Sequence, residues 1–574
     1  MQASALRRPR PLLFAACALL RVAAQDLFLA WKDALPGALL GADLADVGVD
    51  SGSSPSASVS AGILRGRLGA EGVREFLGVP YAQPPLGALR FHPAQPPKAW
   101  DGVRSATALG AACMQGASEA LANMSEDCLH LNVFTPVGAS ALPVLVWIHG
   151  GAFLSGSGGE YNGTELARQG LVVVTINYRL AGLGFYASEA LAHESPDFPS
   201  TGGANGLGDQ IAALEWVRQN IHKFGGDPEQ VTLAGESSGS ISVSYLLHSP
   251  RARGLFRRAV AESGSCVLAA AGSGLPRSSE EALATSGAWE RGLGCPGGAG
   301  ALECLRSLDA AQLVSGAWYA IRPSIDGVLL PADPAVLPLA LPASGALDLI
   351  AGSTSLDSVC APPWDDGSGT GSAHTAPWPA DCDGLRRRLS EIFGAGVGAE
   401  VAAQYPCQQQ QTALEVGRRW LEMSRDVSIA CPMHWLAEKL LAASPASKVR
   451  LYEFAYNANA TWRGLAPHGA ELGYVFNKQD VGFFPNQNWD RPLARQVSRY
   501  WGSFVASGTP QGQVEWPSYD IAGERYLRFD ENVASQVGYS TRSRCSFWKS
   551  LVNRSGSETA NTQAYRKLVN QCFT

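Results

Sequence analysis

The segment at residues 231–239 constrains the fold of this chain most strongly. An apolar run, VTLA at 231–234, is followed directly by Gly-Glu-Ser-Ser-Gly at 235–239. This Gly-x-Ser-x-Gly pattern is typical of a sharp turn that joins a strand to a helix and exposes the middle serine at the end of a sheet. Glycines on both sides suit a crowded backbone without room for side chains. The pattern predicts a strand–turn–helix unit that presents Ser237 as a nucleophile.

The segments around this turn predict a doubly wound α/β fold. Residues 143–149 (PVLVWIH) and 171–178 (LVVVTINY) are mostly apolar runs, typical of central strands buried on both faces. Residues 207–224 show the helical spacing of apolar residues. Strand, helix, strand, turn and helix in succession predict a large, mostly parallel central sheet flanked by helices. A composition of 46% hydrophobic and 17% charged residues suits a large buried core.

The two ends of the chain differ from its middle in composition. Basic residues, an apolar run and small residues succeed one another near the start and predict a secretory signal, although Arg21 leaves an uncleaved anchor as an alternative. The next segment is rich in Gly, Ser and Ala and predicts a flexible leader. The predicted divisions are a signal peptide at 1–24, a flexible leader at 25–57, the α/β domain at 58–550 and a C-terminal tail at 551–574.

Several features predict a secreted, extracellular protein. Twelve cysteines, one of them in the signal, leave an odd number, so at least one thiol is free or intermolecular. No apolar stretch reaches about 18 residues, so no transmembrane helix is expected. A net charge of −6 without a basic stripe argues against a nucleic-acid partner. Four Asn-x-Ser/Thr sequons suit glycosylation, and they lie at Asn123, Asn162, Asn459 and Asn553.

A serine nucleophile needs a neighbouring base, and that base needs an orienting carboxylate. In this class of fold the chain order is serine, acid, histidine. His468 follows the strand-like segment 448–456 in a Pro-His-Gly loop, which is where a late base is expected. His434 lies in an apolar helical stretch, which favours a packed histidine instead.

The acid is expected between Ser237 and His468, on a loop after a strand. Asp357 follows the short apolar strand predicted at 347–350. Asp326 and Asp348 compete with it, although an Ile-Asp-Gly turn explains Asp326 as a side-chain-to-backbone hydrogen bond.

A glycine loop at residues 149–153 (HGGAF) follows the first predicted central strand. The oxygen of a tetrahedral intermediate needs N–H donors that are already in position. The expected donors are the amides of Gly151, Ala152 and Ser238. This chemistry requires no metal and no organic cofactor.

Several motifs occur together in one order along the chain. They are FLGVPYAQPP at 76–85, SEDCL at 125–129, NYRL at 177–180, FGGDP at 224–228, the serine turn, HGAEL at 468–472 and CSFW at 545–548. From about Val59 to Trp548 the chain resembles the type-B carboxylesterase/lipase family, which includes cholinesterases, carboxylesterases and bile-salt-activated lipase. The resemblance implies an α/β-hydrolase fold with Ser237 as nucleophile and His468 as base. It places the acid at Asp357, where many members carry Glu.

The resemblance also suggests disulfide pairs. It implies the pairs Cys113–Cys128, Cys295–Cys304 and Cys431–Cys545. Cys360 and Cys382 bracket a Gly/Pro-rich surface insertion predicted at 361–384 and could pair, with Cys382–Cys407 as the alternative. Cys572 resembles the C-terminal cysteine through which some cholinesterases dimerise, so a disulfide-linked homodimer is possible, and Cys266 has no assigned partner.

Departures from the cholinesterases bear on the substrate. The loop between Cys113 and Cys128 contains no tryptophan, whereas cholinesterases hold a quaternary ammonium against one there. Val359-Cys360-Ala361 replaces aromatic residues of the same site. We therefore expect a secreted serine carboxylic ester hydrolase that acts through an acyl-enzyme on uncharged or lipophilic small-molecule or lipid esters. The alternatives are a cholinesterase-type hydrolase and a non-catalytic, cholinesterase-like adhesion or binding domain.

Overall fold

The described part of the chain is built around a central sheet of eleven strands. The computed structural model describes residues 54–116, 123–194, 198–267, 276–314, 321–357, 379–457, 464–481, 489–539 and 543–554. In chain order the strands of this sheet are β1 (Arg67–Leu68), β2 (Val73–Pro80), β3 (His130–Pro136), β4 (Leu142–Ile148), β5 (Val172–Ile176), β6 (Gly226–Glu236), β7 (Arg258–Glu262), β8 (Asp348–Thr354), β9 (Val449–Phe454), β10 (Tyr526–Phe529) and β11 (Ala534–Gln536).

The spatial order of these strands is β11-β10-β9-β8-β7-β6-β4-β5-β3-β2-β1. All neighbouring pairs from β10 to β5 run parallel. The pairs at the two edges, β10/β11 on one side and β5/β3, β3/β2 and β2/β1 on the other, run antiparallel. The predicted large, mostly parallel sheet is confirmed, and its parallel block contains the serine turn.

Helices cover both faces of the sheet. They are α1 (Thr164–Ala167), α2 (Ala181–Phe185), α3 (Glu189–Glu194), α4 (Asn205–Asn220), α5 (Ser238–Leu246), α6 (Ser279–Gly292), α7 (Ala301–Ser307), α8 (Ala310–Leu313), α9 (Cys382–Phe393), α10 (Ala395–Gln404), α11 (Ala413–Arg425), α12 (Cys431–Ala443), α13 (Leu472–Phe476), α14 (Arg491–Ser507) and α15 (Cys545–Arg554). A π-helical turn at Asp426–Ala430 joins α11 to α12. Short 3₁₀ turns lie at Ala70–Gly72, Gly87–Leu89, Gly158–Glu160, Ile221–Phe224, Pro250–Ala252 and Gly298–Gly300.

Strand β4 shows why an apolar run becomes a central strand. Val144, Val146 and Ile148 pack into the core cluster that contains α4 and α5. Leu145 and Trp147 point the other way, into the cluster that contains α14. Because successive side chains of a strand face opposite sides, a strand covered by helices on both faces has to be apolar throughout.

The parallel register brings several strand ends to one edge. Gly235 of β6 lies opposite Ile148 of β4 and Ala261 of β7. Glu262, the last residue of β7, lies opposite Gly352 of β8. The carboxyl ends of β4, β6, β7 and β8 therefore meet, which is where ligands bind in open α/β sheets.

Some predicted boundaries shift in the structure. Ser56 and Ala57, assigned to the leader, belong to the strand Ser56–Val59, which pairs with Gly62–Arg65 beside Val103–Ser105 in a small separate sheet. Alternation of small polar residues with Ala57 and Val59, both buried, explains this strand. A second small pair joins Ala112–Cys113 to Met124–Ser125. Helix α15 continues past residue 550, into the predicted tail.

The cysteines form four pairs at disulfide distance within the described residues. Three are those implied by the resemblance: Cys113–Cys128, Cys295–Cys304 and Cys431–Cys545. The fourth joins Cys382 to Cys407, so Cys382 does not pair with Cys360. Cys382 starts α9 at the end of the predicted insertion, which places its Cα 5.6 Å from that of Cys407 beyond α10.

The remaining cysteines differ in what the structure says of them. Cys266 is a buried free thiol. Cys360 and Cys572 lie outside the described residues, as do the predicted signal peptide and Asn459. Within the described residues, no helix combines the length and apolar character needed to cross a membrane.

Candidate active site

The turn between β6 and α5 holds Ser237 in a strained conformation. Its φ of 56° and ψ of −124° lie where residues other than glycine are rare and cost about 1–3 kcal/mol. A Cβ atom on Gly239 would lie 2.1 Å from the carbonyl oxygen of Ile148. The amide of Ser237 donates a 2.9 Å hydrogen bond to the carbonyl oxygen of Glu262 on β7. Close packing against β4 and a bond to β7 therefore fix the turn and leave the serine half-buried at the sheet edge.

His468 lies between the serine and an aspartate. Its Nε2 atom is 2.9 Å from Oγ of Ser237, and its Nδ1 atom is 2.5 Å from Oδ1 of Asp357. The second carboxylate oxygen of Asp357 accepts a 2.9 Å hydrogen bond from the amide of Thr354. Asp357 is fully buried, whereas 24% of the His468 side chain is exposed. The structure thus brings together the three residues that the sequence predicts as nucleophile, base and acid.

The competing aspartates have other partners. Oδ1 of Asp326 accepts hydrogen bonds from three backbone amides at residues 328–330, and its Oδ2 accepts one from Ser200. Asp348 begins β8, at the opposite end of that strand from Asp357. The backbone-bonding turn predicted for Asp326 is confirmed. His434, predicted to be packed, is buried in α12 beside the hydroxyl of Tyr519.

The glycine loop after β4 turns in the left-handed sense. Gly151, Ala152 and Phe153 have φ values of 106°, 58° and 63°, and the amides at positions 154 and 155 bond to the carbonyl oxygen of Gly151. Within the described residues, the amides of Gly151 and Ala152 have no acceptor. Ser238 is the first residue of α5, so its amide has no partner inside the helix.

The loop passes directly beside the nucleophile. A Cβ atom on Gly150 would lie 3.1 Å from Cβ of Ser237. The loop that carries Gly151 and Ala152 therefore passes beside the serine, and Ser238 follows the serine at the start of α5.

Three fully buried glutamates surround this arrangement and were not predicted as functional residues. Oε1 of Glu236 lies 3.3 Å from Nε2 of His468. Oε1 of Glu471 accepts 3.1 Å hydrogen bonds from the hydroxyls of Ser263 and Tyr452. Oε1 of Glu262 accepts a 2.7 Å hydrogen bond from the indole of Trp501.

Two of these glutamates carried a signal in the sequence. Glu236 directly precedes the serine, and Glu471 lies three residues after His468, within the HGAEL motif. Glu262 carried none, because its position depends on the register of β7 between β6 and β8.

Burial and neighbouring charges together raise the pKa values of these groups. Burial lowers the pKa of His468, but Glu236, Asp357 and Glu471 outweigh it and raise that pKa to about 10. Burial raises the pKa of Glu236 to about 8 and that of Glu471 to about 7, and it also raises the pKa of Glu262. When Glu236 is protonated it loses its negative charge, so it no longer stabilises the protonated form of His468. The protonation of the histidine therefore depends on that of the glutamates around it.

These features define a class of protein. A mostly parallel sheet with a strained serine between a strand and a helix, contacted by a histidine from a later loop, is the α/β-hydrolase arrangement. The sequence matches the Carboxylesterase family over residues 53–548, and the chain belongs to that family.

Curated relatives match over most of both chains. The chain is 33% identical to cocaine esterase from Homo sapiens over 513 residues, which cover 83% of this chain and 87% of the relative. It is 32% identical to the medium-chain fatty acyl-CoA hydrolase precursor of Anas platyrhynchos, with 84% and 88% covered. It is also 32% identical to para-nitrobenzyl esterase from Bacillus subtilis (strain 168), with 80% and 92% covered.

A solved structure agrees with the sequence comparison. A PNB esterase superposes with a TM-score of 0.69 at 28% identity and covers 86% of this chain and 99% of its own. Family membership and these relatives identify the chain as a carboxylic ester hydrolase.

Proposed function

We propose that the chain hydrolyses esters through an acyl-enzyme on Ser237. The position of the His468 ring, between Oγ of Ser237 and the carboxylate of Asp357, carries this proposal. His468 takes the hydroxyl proton through Nε2 as Oγ attacks the acyl carbon, and then gives that proton to the leaving alkoxide. The carboxylate of Asp357 accepts a hydrogen bond from the Nδ1–H group of His468, so it fixes the tautomer that leaves Nε2 free to act as a base.

The same residues complete the second half of the reaction. Water, deprotonated by His468, attacks the acyl-enzyme and releases the carboxylic acid. In both halves the negative oxygen is stabilised by the amides of Gly151, Ala152 and Ser238. Backbone donors suit this role because they are already in position and need no rearrangement as charge develops.

We infer that the substrates are uncharged or lipophilic esters. The segment between Cys113 and Cys128 offers no tryptophan to bind a quaternary ammonium. The relatives are named for fatty acyl-CoA, cocaine and para-nitrobenzyl substrates, and none of these names refers to a choline ester. A cholinesterase-type activity is the second candidate, and a choline ester in the substrate panel below tests it.

We further propose that the protein is secreted and glycosylated, with residues 1–24 as the signal peptide. Four cysteine pairs at disulfide distance suit an oxidising compartment. Asn123 and Asn162 are exposed, as a glycan requires. Asn553 lies in α15, and its side chain is outside the described part. N-terminal sequencing and glycosidase treatment of protein from a eukaryotic host test this proposal.

A fluorophosphonate probe tests the nucleophile. We expect one labelled serine in the wild-type protein and none in the Ser237→Ala variant. Ser249→Ala is the control, because Ser249 is buried beyond α5 and its hydroxyl has no hydrogen-bond partner in the described structure. Persistent labelling of a folded Ser237→Ala variant would refute the assignment.

A panel of esters with graded acyl and alcohol groups then tests the substrate class. We expect p-nitrophenyl esters to exceed thiocholine esters of the same acyl group in kcat/KM. A preference for thiocholine esters would favour the cholinesterase-type alternative.

A further inference from the structure

The acid turn and the histidine loop are joined by a buried serine hydroxyl. Ser355 lies two residues before Asp357, just after β8, and is 2% exposed. Its hydroxyl donates a 2.9 Å hydrogen bond to the carbonyl oxygen of Gly464. The same hydroxyl accepts a 2.8 Å hydrogen bond from the amide of Ala466. Both partners belong to the segment that leads into His468.

A third hydrogen bond runs beside these two. The amide of Leu356 donates to the carbonyl oxygen of Ala466 at 2.9 Å, and Leu356 forms an isolated β-bridge with Pro467. The Ser355 hydroxyl thus makes two hydrogen bonds between the two loops, one to the carbonyl oxygen of Gly464 and one from the amide of Ala466. Its removal leaves the loops joined by the Leu356 contact and by the His468–Asp357 pair itself.

Ser355 is held firmly from the other sides. Its amide donates a 2.8 Å hydrogen bond to the carbonyl oxygen of Phe454, at the end of β9. Its own carbonyl oxygen accepts a 3.1 Å hydrogen bond from Nη1 of Arg425. Arg425 ends α11, next to the π-helical turn. These backbone hydrogen bonds fix the position of Ser355, so its hydroxyl can hold the loop of His468 in place.

This contact has a particular consequence with aspartate as the acid. Asp357 has one methylene fewer than the glutamate common in the family, so its reach toward the imidazole is shorter. The Nδ1–Oδ1 distance is nevertheless 2.5 Å, which requires the two loops to lie close together. A displacement of about 1 Å at a catalytic group can lower the rate by about 100-fold.

We propose that Ser355 is a positioning residue that clamps the His468 loop to the Asp357 turn and so sets the contact between base and acid. The inference rests on the proposed function, because Ser355 acts only through these two residues and does not touch the substrate.

The test is the Ser355→Ala variant, with Ser447→Ala as its matched control. Ser447 is also buried, and its hydroxyl lies at the opposite ends of β8 and β9, in the segments that precede these strands: it accepts a hydrogen bond from the amide of Leu347 and donates one to the hydroxyl of Ser444. Both variants lose one buried bridging hydroxyl. We expect kcat to fall by about 10- to 100-fold in Ser355→Ala, with KM changed less than about threefold, and to remain near wild type in Ser447→Ala.

A double-mutant cycle with Asp357→Ala separates positioning from a general loss of structure. If Ser355 acts through the acid, its removal should lower kcat by less than about twofold once Asp357 is absent. The idea is wrong if Ser355→Ala costs the same factor with and without Asp357, or no more than Ser447→Ala does. Ser237→Ala is measured alongside: activity and labelling that survive in it would overturn the proposed function itself, whatever Ser355→Ala shows.

Discussion

Oε1 of Glu236 lies 3.3 Å from Nε2 of His468, the ring nitrogen that also faces Oγ of Ser237. The proposed base thus touches a second carboxyl group besides its orienting aspartate. Glu236 is fully buried, and neither of its carboxyl oxygens accepts a hydrogen bond from the described residues. Burial raises the pKa of Glu236 to about 8, and a charged Glu236 in turn raises the pKa of His468.

Replacing Glu236 with Gln should shift the acid limb of the pH–rate profile. Activity needs neutral His468 and therefore rises with pH through the pKa of that group. Removing the Glu236 carboxylate removes a charge that raises this pKa, so the limb should move to lower pH. The measurement is kcat/KM, or the rate of fluorophosphonate inactivation, from about pH 5 to 10. Glu229→Gln is the control, because Glu229 is exposed on the same strand, β6. An acid limb that stays in place or moves to higher pH in Glu236→Gln would contradict the claim that the charge of Glu236 raises the pKa of His468.

Replacing Asp357 with Asn should lower kcat by about 10³- to 10⁴-fold. The amide cannot hold the Nδ1 hydrogen of His468 as the carboxylate does, so the ring is no longer fixed in the reactive tautomer. Asp326→Asn is the matched comparison, because Asp326 is one of the two competing candidates for the acid and bonds to backbone amides instead. That variant should lose thermal stability but keep kcat within about twofold. Comparable loss of kcat in the two variants would argue against Asp357 as the acid.

The sequence predicted those parts of the site that depend on local structure. Ser237 sits between a strand and a helix that are adjacent in the chain, and His468 follows β9, which ends at Phe454, with no other described strand or helix between them. Ser355 and Glu262 could not be found in this way. The side chain of Ser355 bonds to the segment that leads into His468, and that of Glu262 bonds to Trp501 of α14. These partners are more than 100 positions away in the chain, so tertiary packing, including the register of β7, β8 and β9, brings them together.

The predicted surface insertion at 361–384 shows the same limit. Its last residues have the composition of a loop, yet Asp381 caps α9 by accepting a hydrogen bond from the amide of Gly384. Packing then buries Cys382 beside Cys407. Composition indicated a loop here, and a local capping interaction together with tertiary packing produced the start of a helix instead.

The glycine loop offers a test of the oxyanion site. A Cβ atom on Gly151 would lie 2.2 Å from the carbonyl oxygen of Ser155, at a φ of 106°. Gly151→Ala should therefore distort the loop that presents the amides and lower kcat by about 100- to 1000-fold, as loss of one oxyanion donor does. Ala152→Gly changes the next residue, whose φ of 58° suits glycine, and should keep kcat near wild type. Equal activity of the two variants would exclude the loop as the oxyanion site.

The buried carboxyl of Glu471 should make the protein less stable as pH rises. Burial raises its pKa from about 4.5 to about 7, so the folded state binds a proton that the unfolded state has already released between these values. The stabilisation is complete below about pH 4.5 and is lost as pH rises through about 7. Glu471→Gln keeps the shape and an acceptor for Ser263 and Tyr452 but cannot ionise.

The variant should match wild type in thermal midpoint near pH 4.5 and exceed it at pH 8. The gain in the free energy of unfolding at pH 8 should be on the order of 1–3 kcal/mol. Thermal unfolding of both proteins across this range measures it, with Glu422→Gln as a control because Glu422 lies at the surface in an ion pair with Arg419. If the difference between Glu471→Gln and wild type does not change with pH, Glu471 is ionised in the folded protein throughout this range, and the raised pKa is wrong.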